Sequence, residues 1–252
     1  MKKLLILTII CFISCLWNSR IYAQQEIKPD FSNLKNGDIN IYRILLRGVA
    51  TSTNSFSEEK NEFENEIYIS QLVREVNKVG NIIIQTNVDK EKSFINGSEV
   101  DPSSLGSMYF TEMDKFGNVI STAVASGQKN SASEFQLSFP DEKMKIGHTW
   151  VRKVVIEQVG KKYPVECKYK ITGIEKIAGK ECIKIESISS YKGDPRHSLE
   201  AKGVIYYNLK RSIIEKSVVS SFIKSEAAVQ IGGIDSINKY SVFLTVTTEH
   251  VE

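Results

Sequence analysis

Along most of the chain, apolar and polar residues alternate with a period of two. Phe63, Ile67, Ile69 and Val73 fall on one parity, with Glu64, Glu66 and Ser70 on the other. Ile82, Ile84, Thr86 and Val88 repeat the pattern, as do Tyr240, Val242, Leu244 and Val246. In Tyr163–Ile171, Val165, Cys167, Tyr169 and Ile171 share one side, and Pro164, Glu166, Lys168 and Lys170 the other. Successive side chains of a strand point to opposite faces, so this period predicts half-buried strands. No 3.6-residue period is sustained after the N-terminal segment, and Asp101–Ser104 could open at most one short helical turn. The chain reads as all-β, built from antiparallel hairpins.

Turn chemistry punctuates these strands. Asn96-Gly97 suits a tight hairpin turn whose two central residues both need positive φ. Val79-Gly80-Asn81, Asp114–Asn118, Ala178-Gly179 and Gly232-Gly233 read as further reversals. Segments 122–134 and 190–198, rich in Ser, Ala, Gly, Lys and Asp, are expected to be solvent-exposed loops. With a two-residue turn at Ala178-Gly179, Ile183 pairs with Ile174, and simple alternation then puts Ile171 and Ile183 on opposite faces. One extra residue at Gly173, a β-bulge, returns both to the same face. In that register Cys182 lies opposite Glu175 on the outer side while Cys167 points inward, too far away for the Cα separation limit of about 7 Å. Both thiols are therefore expected to be unpaired.

Several strands are long, on the order of 12 to 18 residues, or roughly 40 to 60 Å at 3.3 Å per residue. Twist and bulges must curl such strands into a half-barrel or an open, strongly bent sheet. Features also recur at a spacing near 100 residues. Gly37-Asp38-Ile39 resembles Gly147-His148-Thr149, a hairpin turn at Gly80 matches one at Gly179, and Gly106–Thr111 resembles Gly203–Asn208. An internal duplication follows, with a first β repeat over 24–138 and a second over 139–252, in one continuous domain or two. The first repeat carries about 11 extra residues, placed in a polar loop over Thr51–Asn61. Between the repeats, Pro140 and the charged run Asp141-Glu142-Lys143 suit a connector, Gly147 a turn, and Trp150 opens a β-branched segment.

These residues also carry a resemblance. "FP…KIGHTW" (139–150), "YKITGIEKIAGKECIKI" (169–185) and "AKGVIYYN" (201–208), behind an export signal, resemble uncharacterised secreted bacterial proteins related to the LolA/LppX-like lipoprotein-carrier group. The resemblance spans most of residues 38–225. It implies a curved antiparallel sheet around an apolar groove able to hold acyl chains, and it maps no binding residue onto this chain.

The N-terminus changes the charge picture. Lys2-Lys3, an uncharged run from Leu4 to Trp17 and the small Ala23 read as a signal peptide over 1–23, cleaved after Ala23. Lipidation at Cys15 is the alternative, with Ser14 acceptable before it but Phe12 and Ile13 a poor lipobox. The chain has 33 basic and 30 acidic residues; cleavage removes Lys2, Lys3 and Arg20 and leaves 30 of each. A neutral, interspersed surface offers no electrostatic footprint for nucleic acid. The expected location is the periplasm or outside the cell.

Candidate chemistry is sparse. His148, His197 and His250 stand far apart, with no Cys or His at metal-ligand spacing. There is no G-x-S-x-G elbow, phosphate-binding loop or dinucleotide fingerprint. No catalytic residue, metal or cofactor is expected, and the chain does not read as an enzyme. Two functional readings remain. One is an envelope protein holding a lipid or other apolar ligand among Trp150, Tyr109, Tyr206 and Phe243 on a curved sheet. The other is a structural or interaction module whose exposed strand edges, notably the hairpin Ser217–Val251, pair with an envelope protein partner.

Overall fold

A computed structural model describes residues 26–125, 137–158, 161–191, 193–194, 196–231 and 234–251. The segment expected as a signal peptide, with Cys15, the reversal expected at Gly232-Gly233 and residues 126–134 of the polar segment lie outside the described residues. The protein is all-β, with twelve antiparallel strands in one open, curled sheet. Chain order gives β1 (Ile39–Thr53), β2 (Glu58–Val76), β3 (Ile82–Ile95), β4 (Ser98–Val100), β5 (Met108–Met113) and β6 (Val119–Val124). A second run follows: β7 (Thr149–Gln158), β8 (Lys161–Ile177), β9 (Lys180–Tyr191), β10 (His197–Asn208), β11 (Ile213–Ile231) and β12 (Ile234–Val251). Spatial order is β6-β5-β3-β2-β1-β12-β11-β10-β9-β8-β7, with β4 a short flap on β3. Two meanders thus join where β1 pairs with β12, from Ile41–Val251 to Thr53–Lys239.

The two meanders share their hydrogen bonding in detail. Gly37, at φ +89°, donates its N–H to the Val73 carbonyl, and Val73 donates back to Asp38. Gly147, at φ +90°, does the same with Ile171, which donates back to His148. The register slips just past each of these partners, between Val73 and Glu75 in β2 and between Ile171 and Gly173 in β8. A further bulge falls at Glu112/Met113 where β5 meets β6, and at Tyr206/Tyr207 where β10 meets β11. The turns beyond are alike too. Asp114 Oδ1 accepts the N–H groups of Phe116 and Asn118, and Asn208 Oδ1 those of Lys210 and Arg211. Pairwise, Asn40–Gln71 then corresponds to Trp150–Tyr169, Tyr42–Ile69 to Arg152–Cys167, and Ile84–Thr111 to Ile185–Ile205.

Several expectations are met at residue level. Asn96-Gly97 and Ala178-Gly179 both have two positive φ values. Ile183 pairs with Ile174, Ile185 with Ile171 and Cys182 with Glu175, so the bulge by Gly173 keeps the isoleucines on one face. Cys167 and Cys182 are free thiols. Others are corrected. Thr51–Asn61 is no loop: β1 runs on to Thr53 and β2 starts at Glu58, because fifteen cross-strand pairs extend the hairpin around a turn closed by Asn54. The 122–134 segment is partly strand, since β6 reaches Val124. Asp101–Ser104, expected to open at most one helical turn, forms no helix and so agrees, with Glu91 accepting the Ser104 N–H.

One face of the sheet carries the core. Two connectors, residues 26–38 and 137–148, lie against it and are tied together by the Ile27–Met144 bridge. Phe31 N donates to Lys115 O at 2.7 Å and Phe139 N to Phe116 O at 2.8 Å, so both connectors hang on the β5–β6 turn. That turn needs Gly117: at φ +86°, any Cβ would overlap the Leu137 carbonyl and the Phe31 ring.

Candidate ligand cavity

Against the second meander, the core-facing side is filled by rings. Trp150 stacks on Tyr169 with centroids 5.1 Å apart, and Phe139 sits 4.9 Å from Tyr207 and 6.0 Å from Trp150. The polar ends of these rings are satisfied, as buried Tyr and Trp require. Trp150 Nε1 donates to Ser138 O at 3.0 Å, and the Tyr207 hydroxyl donates to the Asp30 carbonyl.

Against the first meander the same side stays hollow. A cavity of about 630 Å³ opens between β1, β2, β3, β5 and β6 and the ends of the connectors. Aliphatic side chains form most of the wall: Ile44, Ile67, Ile69, Val73, Ile84 and Val88 from β1–β3, then Met113 and Val124. Phe31, Leu34, Leu137 and Ile213 close the end nearest the second meander.

Besides Thr86, Thr111 and Thr122, polar groups of the wall stand at two places. At the closed end stand Asn40, Tyr42, Gln71, Ser212 and Thr248. Behind them is a buried charged cluster. Glu215 accepts from Asn208 Nδ2 at 2.8 Å, lies 3.3 Å from Lys180 Nζ and 3.8 Å from Arg211 Nη1, and is 3.6 Å from the buried His250 ring. Arg211 Nη2 donates to Asn40 Oδ1 at 3.4 Å, and His250 packs edge-on against Tyr42 at 5.6 Å. Burial, with Glu215 adding to it, pushes the Tyr42 hydroxyl well above the usual phenol range, so it stays protonated and able to donate.

At the opposite end, Ser104 of the β4–β5 connector is clamped over the wall by Glu91, which accepts Ser104 N at 2.8 Å and Ser104 Oγ at 2.7 Å. Asn65 Nδ2 and Ser93 Oγ add further bonds at 3.0 and 3.2 Å. Burial alone would raise the Glu91 carboxyl, but these hydrogen bonds outweigh it and hold the group below the ordinary carboxylate range.

The four residues named from sequence are dispersed. Tyr109 lines the cavity. Trp150 belongs to the filled side of the second meander. Tyr206 alternates with the buried Tyr207 and so faces the opposite side of the sheet, between Lys184 and Lys216. Phe243 is 52% exposed on that opposite face, paired with Val49 and Phe222. Sequence reasoning ranked ring size; it passed over Asn40 and Gln71, whose signal was a polar residue on a parity otherwise apolar. In the hairpin Ser217–Val251, β10 pairs with β11 up to Ser225 and β1 with β12 from Lys239, so open edge remains only toward the tip, beyond Glu226 and before Lys239; the outermost strands of the sheet are β6 and β7. Among the described residues, no group of three or more His, Cys, Asp or Glu could hold a metal.

Among solved structures, the chain is similar to OpdL of Pseudomonas aeruginosa, at 7% identity over 85% of this chain and 99% of that one, with a TM-score of 0.24. It is also similar to a DUF1329 family protein from Desulfovibrio piger, at 10% identity over 82% and 83% of the two chains, with a TM-score of 0.17. No family model and no curated protein matches the chain.

Proposed function

We propose that this protein binds an apolar or amphipathic small molecule, such as a lipid, in the cavity of its first meander, as an exported protein of the cell envelope. The observation that carries this reading is a hollow of about 630 Å³ on the core-facing side of the sheet, where the corresponding side of the second meander is packed with rings. Protein interiors are close-packed, and an apolar void forfeits dispersion contacts that a ligand restores. The volume lies within the roughly 300–1,000 Å³ typical of ligand pockets, and the wall has their usual make-up of aliphatic surface with a few polar groups. The sequence resemblance to lipoprotein carriers points the same way.

Native mass spectrometry of gently purified protein tests the reading. An adduct of lipid mass, removed by organic solvent, is the expected result. The variant Thr111→Trp, which drives a ring into the cavity, should emerge without it. A wild-type protein that carries no adduct and gains none when incubated with micromolar fatty acid or phospholipid would overturn the reading.

A further inference from the structure

The closed end of the cavity says what kind of molecule fits. Asn40 and Gln71 are directly opposite one another on β1 and β2, and Tyr42 follows on the same face of β1. All three line the cavity. Because Arg211 donates to Oδ1 of Asn40, the amide is turned so that its Nδ2 faces away from the guanidinium. The Tyr42 hydroxyl is a donor, and the Gln71 amide supplies another. Among the described residues, none of these three donor groups gives a hydrogen bond to protein. The Glu215 carboxylate behind Tyr42 is already engaged by Asn208, Arg211 and Lys180. A negative group entering the cavity therefore meets donors backed by a guanidinium rather than a free negative charge.

Resting on the cavity reading above, we infer that the ligand is a single-chain amphiphile with a carboxylate head, a fatty acid in chemical class. Its head docks on Asn40 Nδ2, the Tyr42 hydroxyl and Gln71 Nε2, and its chain runs along Ile44, Ile67, Ile69 and Val88 toward Ser104. An apolar chain laid over these donors would leave them unmatched, so a ligand with acceptors here is favoured over a plain hydrocarbon. A carboxylate offers two oxygens, each able to take more than one such donor.

The test compares cis-parinaric acid with its methyl ester, which has the same chain and no charge, in fluorescence titrations of the purified protein at pH 8. The acid is expected to bind about tenfold more tightly than the ester, the factor set by one charge-assisted hydrogen bond. Gln71→Leu and Asn40→Ala should bring the two affinities within about twofold by weakening the acid alone. Gln71→Glu, which places a carboxylate at the docking point, should reverse the preference; unfolding midpoints confirm that each variant is folded. Equal binding of acid and ester by the wild type, or a preference that survives all three substitutions, overturns the head-group assignment and leaves the cavity reading standing. Failure of both probes to bind the wild type overturns the cavity reading and the assignment with it.

Discussion

Asn40 and Trp150 occupy corresponding places in two meanders that share their glycine entry, the register slip past Val73 and Ile171, and the bulge before the last turn, while β2 carries one further shift at Tyr68/Ile69. In the second meander the pair Trp150–Tyr169 stacks, and Ile205 and Tyr207 are buried in the same core. In the first, the corresponding positions hold Asn40–Gln71, Thr111 and Met113, all of them in the cavity wall. Around these positions the strand pairing corresponds; side-chain volume differs. On one face of the sheet, the second meander therefore carries the stability of an ordinary core while the first carries a hollow. A few side-chain differences at corresponding positions separate a packed half from a hollow one, and the comparison can be broken from either side.

The largest expected effect lies in the filled half. Trp150→Ala removes the stacked ring and its bond to Ser138, and large-to-small changes of this kind cost about 3–5 kcal/mol. Gln71→Ala, at the position corresponding to Tyr169, should cost under about 1 kcal/mol, because its side chain already borders a void. Urea unfolding midpoints decide this; equal losses would mean that the two halves are packed alike.

Accessibility gives the second contrast. Cys167 corresponds to Ile69, which lines the cavity. In Ile69→Cys, the new thiol should react with methyl methanethiolsulfonate about a hundredfold faster than the buried Cys167, a gap of roughly 2.7 kcal/mol in opening free energy. Cys182 adds little background, since burial and the nearby Glu215 push its thiol up to about 11 and thiolate is the reactive form. Mass spectrometry after proteolysis assigns the label. Similar rates at both sites would show the first half to be as tight as the second.

A smaller effect sits at the cavity's other rim. Because Glu91 is held below its ordinary value, it binds a proton more weakly folded than unfolded. Its contribution is complete above the unfolded value of about 4.3 and is lost as pH falls through the lower folded value. Glu91→Gln should cost about 1–2 kcal/mol at neutral pH through the weakened clamp on Ser104, and the gap to wild type should close as pH falls below about 4. A gap that persists at low pH would mean that the carboxylate's charge is not what holds the connector.

Much of this architecture could be read from the residues. The alternation of Val165, Cys167, Tyr169 and Ile171 fixed which side of β8 is buried, and Gly173 betrayed the bulge through the parity clash of Ile171 and Ile183. The extra length of β1 and β2 was missed because Ser, Thr, Asn and Glu over 51–61 look like a loop, while cross-strand pairing makes them a polar hairpin. The cavity was not legible. A void is the absence of side-chain volume at positions brought together by pairing β1 with β12 and folding two connectors over one face, and no single segment records it. Tyr109 was chosen for its ring and lines the hollow; Asn40 and Gln71 are set apart only by comparison with Trp150 and Tyr169.

That comparison also yields the most delicate experiment. Thr111 sits opposite Ile84 in the cavity wall, where the second meander has Ile205 opposite Ile185. Thr111→Ile therefore installs the filled half's own residue at a position whose backbone already accepts it, both types being β-branched and suited to a strand. Its extra apolar surface should raise stability by about 0.5–1 kcal/mol, as cavity-filling changes commonly do. The same side chain takes space from the ligand, so affinity for cis-parinaric acid should fall while the unfolding midpoint of the empty protein rises. Opposite signs in the two measurements mean that stability is being exchanged for binding at a single residue. Loss of both would show that Thr111 is needed to shape the sheet itself, and the hollow would then be a by-product of strand geometry rather than of side-chain choice.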